Sequence, residues 1–205
     1  MRNLLFSLLC CFFVAQNLSF AQNSEGFIKL KSVNEKNKTE IVTWYFKGDK
    51  LASEVEMFDN EGKSVNIKAV FDLPAQTIFV SVPNFSQAFA TKINTIPLNP
   101  LFADGIQYSE IGRNSKDDRF KQVVDAQMKH GEYTTIPKYT TDIPFNWALY
   151  KDFLKQDPTF YTMTQQGLKG FPFYAVTQDK EGKIISQFQL IEFKFTRVED
   201  KVFQK

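Results

Sequence analysis

The chain has 205 residues, 43% hydrophobic, with 22 phenylalanines and a formal net charge of +2. That length suits one domain around a single large core, and so small a charge leaves no electrostatic footprint for nucleic acid or an anionic membrane. With His130 as the only histidine, a multi-histidine metal site within one chain is excluded.

The chain opens MRNLLFSLLCCFFVAQNLSFAQ, with Arg2, an apolar run over residues 4–15 and small residues at Ser19 and Ala21. This reads as a secretory signal peptide cleaved after Ala21, which makes the mature protein exported and periplasmic. About a dozen apolar residues are too few to span a bilayer, so no transmembrane segment is expected in the mature chain. A lipoprotein leader needs a small residue before the modified cysteine, whereas Leu9 precedes Cys10 and Cys10 precedes Cys11. Cleavage leaves residues 22–205 as one domain of 184 residues, with 18 phenylalanines and 24 basic against 23 acidic side chains. Both cysteines depart with the leader, and with them any disulfide, thiol nucleophile or thiolate ligand.

From Ile41 the chain alternates, with Val42, Trp44 and Phe46 on one face and Thr43, Tyr45 and Lys47 on the other, as a half-buried strand requires. Gly48-Asp49 forms a two-residue hairpin loop. Counting outward pairs Phe46 with Leu51, Trp44 with Ser53 and Val42 with Val55, and leaves Ala52, Glu54 and Glu56 to solvent. A three-residue turn at Asn60-Glu61-Gly62 pairs Met57 with Val65, Val55 with Ile67 and Leu51 with Phe71. A four-residue loop there would set Val55 opposite Asn66 and invert the strand. After Phe71, DLPA is read as a four-residue loop that sets Ala69 against Ile78, Ile67 against Val80 and Val65 against Val82. Residues 26–33, GFIKLKSV, are expected to join this meander at its edge.

Residues 83–114 are rich in Pro, Asn, Ser and Gly and read as loops, with AFATKINTI a candidate strand and NPLFADGIQYSEIG irregular. Residues 115–131, SKDDRFKQVVDAQMKHG, predict a helix capped by Ser115, with Asp117 and Asp118 in its first turn, Phe120, Val123, Val124 and Met128 on one face, and Gly131 at its end. A second helix, NWALYKDFLKQ, starts at Asn146 with Phe145 and Tyr150 as a hydrophobic staple and stops at Asp157-Pro158. Two final strands, GFPFYAVT and KIISQFQLIEFKFTRV, flank a DKEG turn that sets Phe173 against Phe188 and Phe171 against Leu190. Beyond Leu190 the parity of apolar residues changes, which predicts a bulge or bend at Leu190-Ile191. No repeat or domain linker interrupts the chain.

The expected fold is α+β: a strongly curved antiparallel sheet, a half-open β-barrel, with helices covering the concave face. The ligand-cavity candidates on that face are Trp44, Phe46, Val55, Met57, Ile67, Trp147, Phe171, Phe173, Phe188 and Leu190, because ligand pockets are mostly apolar with few polar groups. A packed core explains the same residues without a ligand. Phe193 and Phe195, past the parity change, offer a second apolar surface for a partner. Alternation assigns Glu54 and Glu56 to solvent rather than to a carboxylate pair. A helix C-terminus accounts for His130 as a favourably placed cation. There is no phosphate loop, nucleophile elbow or calcium loop, so no catalytic residue, no metal ligand and no cofactor is expected.

The order GFIKL, TWYFKGDKLASEVEM, VNIKAVFDLPAQTIFVSV and, after a middle region, GFPFYAVTQDKEGKIISQFQLIEFKF resembles the LolA/LolB-like superfamily of exported half-barrels, and most nearly an exported branch whose domain has no assigned function. The resemblance implies a sheet wrapped around an apolar cavity, used by relatives to carry acyl chains or lipoproteins across the periplasm. Those carriers place an arginine on the cavity lid, and the resemblance assigns neither Arg113 nor Arg119 to that role. The function expected is non-enzymatic binding of an acyl chain, lipid or lipidated protein in the concavity. The alternative is an envelope protein-interaction or assembly module with a packed core, a protein partner and no small-molecule ligand.

Overall fold

The computed structural model describes residues 25–34, 38–58, 63–83, 88–93, 105–113, 115–143, 145, 150, 158–168 and 170–205. Residues 1–21, read from the sequence as a signal peptide, lie outside these residues. Eleven strands form one antiparallel sheet: β1 (Glu25–Asn34), β2 (Thr39–Lys47), β3 (Lys50–Phe58), β4 (Ser64–Asp72), β5 (Thr77–Ser81), β6 (Phe89–Lys92), β7 (Gln107–Gly112), β8 (Val123–His130), β9 (Tyr133–Thr140), β10 (Phe171–Gln178) and β11 (Ile184–Phe195). Their spatial order is β6-β5-β4-β3-β2-β1-β11-β10-β9-β8-β7. Two meanders, an N-terminal arm of β1–β6 and a C-terminal arm of β7–β11, thus join along β1 and β11. The sheet is strongly curved and open, with β6 and β7 as its edges among the described residues, and the described helix α1 (Pro158–Gln165) packs against β8, β9 and β10.

The N-terminal arm follows the alternation of its sequence. Phe46↔Leu51, Trp44↔Ser53 and Val42↔Val55 pair as counted, with Gly48 at a positive φ of 58° in the turn. Met57↔Val65, Val55↔Ile67 and Leu51↔Phe71 follow. The turn that produces this register, residues 59–62, lies outside the described residues. The next hairpin differs by two positions: Ala69 faces Val80 and Phe71 faces Ile78. The loop is Leu73–Gln76, closed by Gln76 at φ 50°, with Ala75 N–H donating to Asp72 Oδ1. A slip of two keeps every side chain on its face, so alternation alone cannot detect it. β1 is not an edge strand, because it pairs with β2 on one side and β11 on the other.

The C-terminal arm departs further. Residues 123–130 form strand β8 rather than part of a helix, and Gly131, at φ 58°, turns the β8–β9 hairpin. Val124, Ala126, Met128 and His130 are its buried alternate residues, a period of two that the small Ala126 and polar His130 conceal. Asp117 and Asp118 therefore do not open a helix. Asp117 receives the Arg119 guanidinium through two bonds of 2.9 Å, which holds its carboxyl below the usual range. β9 contains Pro137, which lacks a ladder donor, and the β8–β9 pairing lapses between Asp125↔Lys138 and Met128↔Thr135, where Pro137 stands. QYSEIG is likewise a strand, β7. Of the expected second helix, residues 146–149 and 151–157 lie outside the described residues. The described helix begins at Pro158, where a missing N–H costs no internal bond, and ends with Leu168 N–H on Met163 O beyond Gly167 at φ 60°.

Curvature has a local cause. Single extra residues bulge the strands at Ile111, Phe173, Ile185 and Ile191, all on the C-terminal arm, and bulges bend and twist the strand that carries them. The one at Ile191 is the parity change expected from sequence. It returns Phe193 and Phe195 to the concave side, where Phe195 lies 6.1 Å from Phe46 and Phe193 packs on the core. They therefore continue the concave face, Phe193 against the core and Phe195 46% exposed. Phe46 and Phe195 meet across Gly26, which pairs with both. A Cβ at Gly26 would collide with the Lys194 carbonyl oxygen.

After β11 the chain crosses to the convex side as a strap ending in a 3-10 turn (Asp200–Phe203). Lys47 and Lys50 bind Asp200, Lys68 donates to the carbonyls of Lys201 and Gln204, and Lys205 reaches Asp72. Ala52, expected at the surface, is fully buried on this side, as are Val70 and Val198.

Candidate functional site

The strand register converts the concave face into rows of side chains. Across the N-terminal arm one row runs Gly26, Phe46, Leu51, Phe71, Ile78; the next Ile28, Trp44, Ser53, Ala69, Val80; the third Leu30, Val42, Val55, Ile67; and the fourth Ser32, Glu40, Met57, Val65. On β2 and β3 burial falls along this series, while Leu30 of the third row, on β1, is 4% exposed. Phe46 and Leu51 are 4–5% exposed, Val42, Val55 and Ile67 are half-buried, and Met57 and Val65 reach 37%.

The closed end is an aromatic cluster. Trp44 lies 4.9 Å from Phe160 of α1, Phe171 lies 5.6 Å from Phe145, Phe160 stacks on Phe188 at 5.4 Å, and Phe46 meets Phe145 edge-on at 5.9 Å. Tyr150 lies 5.2 Å from Phe145 and donates to Gly48 O at 3.0 Å. Burial pushes its hydroxyl up to about 12. Such pairs add about 0.5–1.5 kcal/mol each beyond area burial.

On the C-terminal arm the rows beyond Phe188 change character. Asn34, Ser186, Thr177 and Thr135 stand in register across four strands. Thr135 Oγ1 bonds Thr177 Oγ1 at 2.9 Å and His130 Nε2 at 2.8 Å. His130 is 2% exposed, and burial lowers its imidazole below the ordinary value. It is thus an interior residue bonded to threonine, not a cation at a helix end. Nearer the β7 edge Tyr139 donates to Glu110 Oε1 at 2.7 Å with Tyr108 at 3.0 Å, and burial followed by Glu110 pushes the Tyr139 hydroxyl upward.

The ten candidate residues therefore divide. Phe46, Phe171, Phe173, Phe188 and Leu190 are buried and, with half-buried Trp44, form the packed end. Val55, Met57 and Ile67 line the open rows. Trp147 lies outside the described residues. Sequence reasoning did not single out Val42 and Val65, although the same counting puts them in the open rows. It also missed the hydroxyl row, because its members come from strands unrecognised or paired only in three dimensions. Tyr45 donates to Glu54 at 3.2 Å, so Glu54 is tied to its neighbouring strand rather than to Glu56.

One arrangement imitates a nucleophile. Ser115 Oγ donates to Asp125 Oδ1 at 2.6 Å and accepts from Lys138 Nζ at 2.9 Å, with Lys138 3.8 Å from Asp125. Ser115 N–H also donates to Asp125, so the trio fastens the chain after β7 onto β8 and β9. Among the described residues no group of three or more His, Cys, Asp or Glu could hold a metal ion, and no helix is long and apolar enough to cross a membrane.

This architecture, an open, strongly curved antiparallel sheet with the described helix laid over it, is a known one. The chain is similar in fold to an uncharacterized conserved protein from Thermus thermophilus, with a TM-score of 0.56 at 8% identity over 96% of this chain and 93% of that one. It is more distantly similar to MucB (TM-score 0.49, 12% identity, 92% of this chain and 60% of that one) and to a candidate outer membrane lipoprotein-sorting protein domain from Vibrio parahaemolyticus (TM-score 0.36, 8% identity, 93% and 94%). The relationship is one of fold. No protein-family model and no curated protein matches the sequence.

Proposed function

We propose that this chain is an exported, non-enzymatic binding protein that receives the apolar portion of an acyl chain, lipid or lipidated protein in the open rows of its concave face. The observation that carries the reading is the burial gradient: Val42, Val55, Ile67, Met57 and Val65 share the face of a packed core yet stay half-buried or exposed. Apolar side chains in a concave surface offer a chain-like ligand about 25 cal/mol per Å² removed from water. The half-buried hydroxyls of Ser186 and Thr177, backed by the buried Thr135, supply polar partners for a head group beyond the apolar rows, the balance a ligand site requires. The leader, read as a signal peptide, and the resemblance of the strand order to the LolA/LolB-like superfamily support export and a lipid-type ligand.

Mass spectrometry of lipids extracted from protein purified without detergent tests this reading. A stoichiometric acyl lipid is expected, and its loss in the Val55→Glu variant. Protein that repeatedly emerges lipid-free and binds no added fatty acid overturns it. The interlocked aromatics of the closed end favour a second reading, an envelope assembly module whose interior is only core; capture of a protein partner by lipid-free protein selects it.

A further inference from the structure

The curved sheet contains a split. The β10–β11 ladder ends at Tyr174↔Gln189, yet β11 continues to Phe195, held by β1 alone. Thr196 N–H donates to Glu25 O, which fixes the phase of that ladder. In an antiparallel pair alternate residues turn their polar groups to the partner, so Glu192 and Lys194 face β1, and Phe193 and Phe195 present N–H and C=O to the split. Among the described residues no strand lies against them. At the mouth of the split Arg119 Nη1 donates to Leu190 O at 2.9 Å. A guanidinium stands there where the N–H of a neighbouring strand would be.

Exposed ladder groups of this kind recognise one thing well, an extended main chain. The outer edges of the sheet are guarded in the usual ways, β6 by its four-residue length and a terminal Lys92, β7 by the bulge at Ile111. The inner edge keeps Ile191 and Phe195 nearly half exposed, at 47% and 46%. Charge selects the occupant. Lys29, Lys31, Lys194 and Arg197 stand beside this stretch with Glu192, while the nearby acids Glu25 and Asp117 are paired with Lys47 and Arg119, so a second copy of the same edge would bring lysines together, whereas an acidic strand would be attracted.

We propose that the β11 edge from Leu190 to Phe195 receives an extended acidic segment of a partner protein as an added strand. The test uses the full mature chain, the probe acetyl-(Glu-Val)4-amide and residue-resolved amide exchange. Without peptide, the amides of Phe193 and Phe195 exchange at least about tenfold faster than those of Lys194 and Thr196. The acidic peptide slows them, the lysine analogue acetyl-(Lys-Val)4-amide does not, and added salt weakens the effect. Phe195→Pro, which removes an N–H aimed into the split and none aimed at β1, abolishes binding, while Phe195→Ala retains it. The proposal is overturned if Phe193 and Phe195 are as protected as Lys194 in the peptide-free protein. It is equally overturned if the acidic peptide fails to bind at up to about 1 mM, or if the proline and alanine variants bind alike.

Discussion

The two ends of the concave face are built from the same strands and the same alternation, yet one is sealed and the other is not. At the closed end Phe46, Phe145, Phe160 and Phe171 interlock over Gly26 and Leu51. At the open end Val55, Ile67 and Met57 continue the same face with less and less cover. Apolar alternation therefore specifies which face turns inward without specifying whether that face is filled by the protein itself. What distinguishes the ends is the partner brought from elsewhere in sequence: α1, Phe145 and Tyr150 cover the side chains of β2, β10 and β11, α1 reaching as far as Phe188, and among the described residues nothing comparable covers Val55, Met57 and Ile67 on β3 and β4.

The largest effect expected from breaking this contrast is at Phe171, which is fully buried and touches the rings of Trp44, Phe145 and Phe160. Phe171→Ala should cost about 3–5 kcal/mol in urea unfolding; a cost below about 1 kcal/mol would mean that the closed end is not tightly packed. Next comes the seam between the arms. Gly26→Ala pushes a methyl into the Lys194 carbonyl and should cost about 2–3 kcal/mol by the same measurement. A neutral outcome would show that β1 and β11 separate readily. Substitution in the open rows should be milder. Ile67→Glu is expected to change stability by less than about 1 kcal/mol while removing bound lipid, and a collapse of stability comparable to that of Phe171→Ala would place Ile67 in the core.

The smallest effect concerns acid. The imidazole of His130 is lowered in the folded protein by burial, so the unfolded chain binds a proton more readily. Stability therefore falls as pH drops through the ordinary imidazole range towards the lower folded value, and levels off below it. Urea titrations between about pH 7 and pH 5 should show this slope in the natural protein and not in His130→Gln. An identical slope in both would assign the acid sensitivity to other groups.

The N-terminal arm was legible because its hairpins are short and its parity unambiguous: one-residue slips in β2, β3 and β4 would each turn Trp44, Val55 or Ile67 outward. Slips of two, in the β4–β5 hairpin and in the β10–β11 hairpin, where Ala175 rather than the expected Phe173 faces Phe188 and Phe171 does not pair with Leu190, leave parity intact and depend on loop details such as the left-handed Gln76. Ile191 was visible as a bulge for the same reason, since a parity change is a local signal. In the C-terminal arm the local signals point elsewhere. Ser115 with Asp117 and Asp118 imitates a helix start, Val123, Val124 and Met128 fit both periods, and Pro137 argues against a strand. These strands exist because β10 offers β9 a ladder on which β8 and then β7 build, a non-local fact. Half of the candidate cavity was legible for that reason: Val55, Met57 and Ile67 follow from parity, whereas the hydroxyls that face the concavity from the other arm do not.

The most direct probe of an open apolar concavity is photo-crosslinking with a diazirine-bearing fatty acid, mapped by peptide mass spectrometry on the purified protein. Labels should concentrate on Val42, Val55, Met57, Val65 and Ile67 and spare Phe171. Labelling confined to the convex strap, or none at all, would leave the open rows without a ligand.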